Sequence, residues 1–218
     1  MGAFDPRPED LPAEIPVFPL PGALLLPGGK LPLNIFEPRY LAMVEDALAA
    51  QRMFGMVQPD PAAAGPGLYR VGCLGRLSSF SETDDGRYLI TLSGLLRYRV
   101  VTEVAGRRGY RRVRAEYAAF LGELDPEPQP VGLPRETLLA ALRDYFTHRG
   151  FDANWDAIRR MDDPMLVSTL CMVCPFEPAE KQALLEAPDQ AARAAALLAL
   201  LHMGAVASDP PQGGSRLS

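Results

Sequence analysis

The sequence predicts an α+β chain: a small, partly closed β-barrel with one embedded helix, followed by a helical bundle. Three observations carry this expectation. Short apolar runs punctuated by Gly and Pro recur from residue 15 to residue 117, the pattern of several short strands joined by tight turns. One stretch, directly after Pro38, has helical spacing instead. Beyond Asp125 the composition shifts, and prolines stand at the starts of apolar stripes of helical period.

The stretch 15–40, IPVFPLPGALLLPGGKLPLNIFEPRY, organises the first part of the chain. Prolines at 16, 19, 21, 27, 32 and 38 each remove a ladder donor and fix φ, so no single long strand forms. Residues 17–18, 23–26 and 31–36 read as short, bent strand segments joined by turns at Gly22 and Gly28-Gly29. Pro38 fits the first position of a helix, with Glu37 where negative charge is favoured. Tyr40, Leu41, Val44, Ala47 and Leu48 then recur at helical spacing, predicting a helix from 38 to about 51.

Residues 54–58 read as a strand returning to the sheet, and 59–67, PDPAAAGPG, as a loop. Strands follow over 71–81 and 88–93, with Asp85-Gly86 between them as a hairpin signal. Gly94 reads as an interruption before a strand over 98–104, and 106–109 as a turn into a strand over 110–117. The proline-rich run from Asp125 to Pro130 reads as a stiff linker. Helices are then predicted from Pro134 to near Gly150, over 165–174, from Pro178 to about 185, and from Pro188 to about 203.

Composition bounds the function. With 218 residues, 48% hydrophobic and 22% charged, the chain holds one large domain or two small ones with a real core. A net charge of −5 weighs against general affinity for nucleic acid or anionic lipid. Three cysteines make no disulfide framework, and the acidic, proline-rich start lacks an apolar export segment. The apolar run 194–201 is too short to span a bilayer. The expected location is therefore cytoplasmic, with no membrane partner.

Two runs carry a family resemblance. FPLPGALLLPGGKLPLNIFEPRYLAMV, residues 18–44, resembles the N-terminal domain of the Lon protease family. GCLGRLSSFSETDDGRYLITLSGLLRYRV, residues 72–100, resembles that domain's second signature, in the family's order and at about its spacing. With the helical last third, the resemblance covers roughly residues 12–204. It implies a PUA-like barrel and a helical bundle. The expected layout is a flexible N-terminus at 1–11, the barrel at 12–122, a Pro-rich linker at 123–133, a helical domain at 134–204 and a disordered tail at 205–218. It also implies a part in substrate selection and assembly.

The residues that do chemistry in full-length Lon have no counterparts in this sequence. Gly29-Lys30 is not a phosphate loop, because Leu24 stands where the motif needs glycine and Leu31 where it needs a hydroxyl. Lys30 and Lys181 are the only lysines, and neither lies in a context resembling the family's Ser–Lys dyad. Cys171 and Cys174, at i and i+3 near the end of an apolar helix, read as small buried core residues; no second closely spaced pair completes a zinc site. His148 and His202 read as helix C-terminal residues. No catalytic, cofactor-binding or metal-binding residue is assigned, and no cofactor is expected.

The expected function is that of a stand-alone, non-enzymatic module binding unfolded or exposed protein segments. Its candidate partner-binding residues are Leu26, Pro27, Gly28 and Tyr40, together with a groove where barrel meets helices. Its protein or peptide clients and its oligomeric state are not identified by the sequence. The alternative is a PUA-like RNA-binding module using Arg107, Arg108, Arg111, Arg112 and Arg114, with Tyr110 and Tyr117 interleaved. The solvated face of an edge strand is the preferred reading of those arginines, so nucleic acid is not the expected partner.

Overall fold

The structure, a computed structural model, describes residues 6–63, 65–125 and 130–206. A short 3-10 helix, Pro8–Asp10, precedes β1 (Glu14–Pro19), β2 (Lys30–Ile35), α1 (Pro38–Leu48) and β3 (Met53–Val57). Then come β4 (Val71–Glu82), β5 (Tyr88–Arg107) and β6 (Tyr110–Glu116), followed by a second 3-10 helix, Ala118–Leu124. The last third is helical: α2 (Arg135–Arg149), α3 (Trp155–Arg160), α4 (Asp163–Val173), α5 (Pro178–Glu186) and α6 (Gln190–Val206).

The six strands form one mixed sheet in the order β2-β5-β4-β3-β1-β6, and β6 also pairs with β5. That last pairing closes a ring of hydrogen bonds through β5, β4, β3, β1 and β6. Only β1 and β3 run parallel. The length of β5 makes closure possible, since one of its edges serves two partners: β2 along its first half, from Tyr88 to Ser93, and β6 along its second, from Arg99 to Arg107.

Strand alternation divides the apolar residues into two sets. Inside the ring lie Ile15 and Val17, Met53 and Val57, Leu74, Leu96 and Tyr98, Val113 and Ala115, so every ring strand contributes. Gly55 and Gly72 leave the space that Tyr98 fills; a Cβ on either would lie 2.3 or 2.5 Å from the phenol oxygen. The opposite faces supply Phe18, Phe54, Met56 and Cys73 to a larger core shared with α1 and with α2, α4, α5 and α6. Sheet and helices are thus packed by one continuous apolar cluster, and β3 is buried on both faces.

The turns follow the sequence closely. Pro21-Gly22 and Pro27-Gly28 each place Pro then Gly at the centre of a turn, with Gly φ of 71° and 75°, the requirement of a type II turn. Ala23 N–H donates to Leu20 O and Gly29 N–H to Leu26 O. At the β5–β6 hairpin both central residues, Arg108 and Gly109, have positive φ, as a type I′ turn demands.

Three expectations are corrected. Residues 23–26 form no strand; they are a buried loop crossing the sheet, with Leu24, Leu25 and Leu26 all inaccessible. Gly94 does not interrupt β5. A Cβ there would lie 2.1 Å from Leu26 O, and Gly94 exchanges N–H···O bonds with the loop (Gly28 N to Gly94 O, 3.0 Å; Gly94 N to Gly29 O, 2.9 Å). The glycine permits a crossing rather than a break. Helix α1 ends at Leu48, three residues early, because the chain turns through Arg52 (φ 59°), whose N–H returns to Ala47 O.

Three elements were missing from the sequence reading, the first of them the 3-10 helix Pro8–Asp10 in the stretch expected to be flexible. Helix α3 is capped by Asn154, whose side chain accepts from Ala157 N–H. The 3-10 helix Ala118–Leu124 leads from β6 to the helical part. Of the expected linker, residues 126–129 lie outside the described residues, while Glu123 is paired and Val131 is buried. Residues 1–5 of the expected flexible N-terminus and 207–218 of the expected disordered tail also lie outside them, whereas Ala205 and Val206, assigned to that tail, continue α6.

Candidate functional site

The two Pro-Gly turns of the organising stretch are held by the helices. Lys181, on α5, donates from Nζ to Gly22 O (2.8 Å) and Met172 O (3.2 Å). Gln58, at the end of β3, accepts from Gly22 N–H and donates to Pro178 O and Gln182 Oε1. The Leu26–Gly29 turn abuts α4, where a Cβ on Gly29 would meet Met172 Sδ at 2.4 Å. Sheet and helices are therefore joined by specific polar bonds as well as by the shared core.

Beside this seam lies a cleft of about 650 Å³. One wall is the turn Pro27-Gly28-Gly29-Lys30, and another is the 3-10 helix with Ala119 and Phe120. The start of α4 supplies Pro164, Met165, Ser168 and Thr169, and the α5–α6 turn supplies Pro188, Asp189 and Gln190. Met165 is 52% exposed, an uncovered apolar side chain in the cleft. The lining includes neither histidine nor cysteine.

Arg97 and Arg193 lie at the cleft's base. Arg97, on β5, is 5% exposed. Its Nε donates to Glu123 Oε1 (2.6 Å), its main-chain N–H to Glu123 Oε2 (2.8 Å), and Nη1 to Leu185 O and Ala187 O. The guanidinium also lies 4.7 Å over the Phe120 ring. One strand residue thus fastens the 3-10 helix and the α5–α6 turn to the sheet. Arg193, on α6, donates from Nε to Leu184 O and from Nη1 to Gln190 Oε1. Burial, and then the neighbouring positive charge of Arg97, lower its pKa.

The candidate partner-binding residues divide. Pro27 and Gly28 line the cleft. Leu26 was expected to be exposed and is not: it is fully buried beneath its turn, because the loop must cross Gly94 and carries Leu26 into the core. Tyr40 is buried as well, stacked 4.1 Å from Phe18 under the Arg39 guanidinium, and is not part of the cleft. Glu37 and Arg39 pair with each other at 2.8 Å. The sequence reading missed Arg97, Glu123 and Arg193, whose only signal was charge inside otherwise apolar segments.

All five arginines of the alternative RNA surface have carboxylate partners. Arg107 and Arg108 pair with Asp46, and Arg108 also with Glu45. Arg111 forms a two-pronged pair with Glu103 (2.6 and 2.7 Å), and Arg112 and Arg114 share Glu14. Asp46 also accepts from the Tyr110 hydroxyl at 2.7 Å; this bond, more than its arginines, lowers its pKa. The ion pairs tie α1 and β1 to the β5–β6 hairpin.

The cysteines are core residues. Cys73, Cys171 and Cys174 are buried and unpaired, and burial raises the thiols of Cys171 and Cys174 to about 12. Among the described residues no group of three His, Cys, Asp or Glu could hold a metal ion, and no helix is long and apolar enough to cross a membrane. His148 lies in the last turn of α2, its Nδ1 2.7 Å from Asp144 O.

Comparison with known proteins identifies the architecture. The family model described as the ATP-dependent protease La (LON) substrate-binding domain matches residues 14–203. The chain belongs to this family. Lon protease 2 of Myxococcus xanthus is 27% identical over 204 residues, covering 89% of this chain and 24% of that protein. The Lon protease of Anaeromyxobacter dehalogenans is 32% identical over 114 residues, 50% of this chain and 13% of that protein. The chain thus matches less than a quarter of either relative's length. Among solved structures, a Lon N-terminal domain protein from Xanthomonas campestris superposes with a TM-score of 0.59 at 24% identity, covering 85% of this chain and 97% of that one. The N-terminal domain of a Mycobacterium avium complex Lon protease gives 0.57 at 17% identity, covering 88% and 98%. These two likenesses support the fold, including the helical third that the Lon-type chain packs against its sheet.

Proposed function

We propose that this Lon-type chain binds unfolded or exposed protein segments in the cleft between sheet and helices, and that it performs no chemistry there. The observation that carries this reading is the exposed Met165 beside Pro27, Phe120, Pro164 and Pro188 in a concave site. An unstructured segment is held chiefly by burying its apolar side chains, which such a lining rewards. Family membership agrees with the reading, since the matching model is named for substrate binding. We also read the closed ring of strands as a PUA-like barrel, and the chain as a cytoplasmic one, the compartment that keeps buried, unpaired thiols reduced.

The test uses a permanently unfolded protein, reduced and carbamidomethylated, with binding followed by fluorescence anisotropy. Binding is expected to vary little with salt and to fall several-fold in Met165→Asp, with an unchanged melting temperature. Equal binding by Met165→Asp, or no binding by the unaltered chain, would overturn the proposal.

A further inference from the structure

Among the described residues, one buried side-chain nitrogen has no hydrogen-bond partner: Nη2 of Arg193. This residue is 6% exposed and lines the cleft. Its other two guanidinium nitrogens are engaged, Nε by Leu184 O at 3.0 Å and Nη1 by Gln190 Oε1 at 2.8 Å. A buried donor of a charged group left without an acceptor is costly, and native proteins rarely tolerate one.

The charges at the base of the cleft point the same way. Two guanidiniums, Arg97 and Arg193, are buried there beside one partly buried carboxylate, Glu123. Both Glu123 oxygens are already taken by Arg97, through Nε and through the main-chain N–H. At the base itself two guanidiniums thus meet one carboxylate, an arrangement that favours a further anionic partner. The other carboxylates of the lining do not supply it. Asp125, Asp162 and Asp189 are exposed at the rim, and the last two cap α4 and α6, accepting from Met165 N–H (2.8 Å) and Ala192 N–H (2.7 Å).

We propose that the base of the cleft is a carboxylate-binding site, and that a client segment enters with a carboxylate directed at the Arg193 guanidinium. This rests on the reading of the cleft as the client-binding site. A guanidinium fork matches a carboxylate in shape and charge. One excess positive charge matches one carboxylate, whereas a doubly charged phosphate would overshoot it and face the acidic rim. The carboxylate comes from the end of a polypeptide or from an Asp or Glu side chain. The same rim favours neutral or basic residues next to it.

The experiment compares three versions of one short, fluorescein-labelled apolar peptide: with a free C-terminal carboxylate, with a C-terminal amide, and amidated with a Glu near its end. The free acid is expected to bind the full chain about tenfold tighter than the amide, the scale of one charged hydrogen bond. Arg193→Met should abolish the difference between acid and amide. If that variant does not fold, the acid–amide comparison in the unaltered chain decides the question by itself. Tight binding of the acid alone identifies a chain end, and tight binding of both acidic peptides identifies any carboxylate; each supports the site. Equal affinities for all three overturn the carboxylate site and leave the cleft reading standing. No binding of any peptide overturns both.

Discussion

Arg97 donates to the main-chain oxygen of Ala187 at 2.6 Å, joining residues 90 positions apart in sequence. The same guanidinium holds Glu123, so one strand side chain gathers three separate segments at the edge of the cleft. Replacing Arg97 by Met strands the Glu123 carboxylate and two carbonyls. A loss of about 3–5 kcal/mol is expected in urea unfolding, the usual effect of removing one partner of a buried ion pair. Adding Glu123→Gln should recover part of it, since the stranded charge is then gone.

Gly94 and Gly86 separate two reasons for a glycine. Gly86→Ala meets no neighbour and pays only for its positive φ of 78°, about 1–2 kcal/mol. Gly94→Ala drives a methyl into Leu26 O, and a loss of at least about 3 kcal/mol is expected. Thermal melting of the two variants should show the larger drop for Gly94. The reverse order would mean that the 23–28 loop does not cross the sheet there.

Leu26→Ser is expected to destabilise the chain by about 2–5 kcal/mol, as truncation of a fully buried side chain does. Calorimetry checks this. A melting temperature unchanged from the parent would return Leu26 to the surface.

The thiols of Cys171 and Cys174 stay protonated in the folded chain to about pH 12, because burial disfavours the thiolate. In the unfolded chain they ionise near pH 8.5. Their contribution is therefore complete below about pH 8.5 and is lost as pH rises towards 12. Each thiol adds up to about 1.4 kcal/mol per pH unit to that decline. Denaturation measured from pH 7 to 11 should steepen in its fall above pH 9, and Cys171→Ala with Cys174→Ala should flatten it. An identical slope in parent and double variant would show that other groups, such as Tyr110, account for the whole effect.

RNA binding should be absent at physiological ionic strength. The five hairpin arginines already face Asp46, Glu45, Glu103 and Glu14, so phosphate would have to displace existing ion pairs. Anisotropy with a labelled RNA checks this. An affinity that falls steeply with salt, and falls again in Arg111→Ala with Arg112→Ala, would restore the RNA reading.

The parts of the structure legible in the sequence are those set by near neighbours. Pro21-Gly22 and Pro27-Gly28 specify their turns within four residues, and Pro38, Pro134 and Gly150 mark helix ends by their own backbone preferences. Helix α3 went unread because, with only six residues, its apolar stripe is too short to show a period. Gly94 was misread because a close crossing and a break place the same residue in a strand. Leu26 was misread because burial depends on where the chain returns. The pairing of Arg97 with Glu123, and the approach of Arg193 to both, arise from the docking of helices on strands, which no local pattern contains.

The closed ring has one further consequence. Strand β2 lies outside it, pairs only through β5, and is the sheet's open margin. That margin is six residues long, begins with the exposed Lys30 and is interrupted by the exposed Pro32. A protein that handles unfolded chains risks becoming the template on which they stack as added strands. Here each of the other five strands pairs on both sides over part of its length, and β2 lacks an N–H at Pro32. If the cleft takes clients as proposed, the short, proline-interrupted margin leaves their side chains, rather than their backbones, to make the contact.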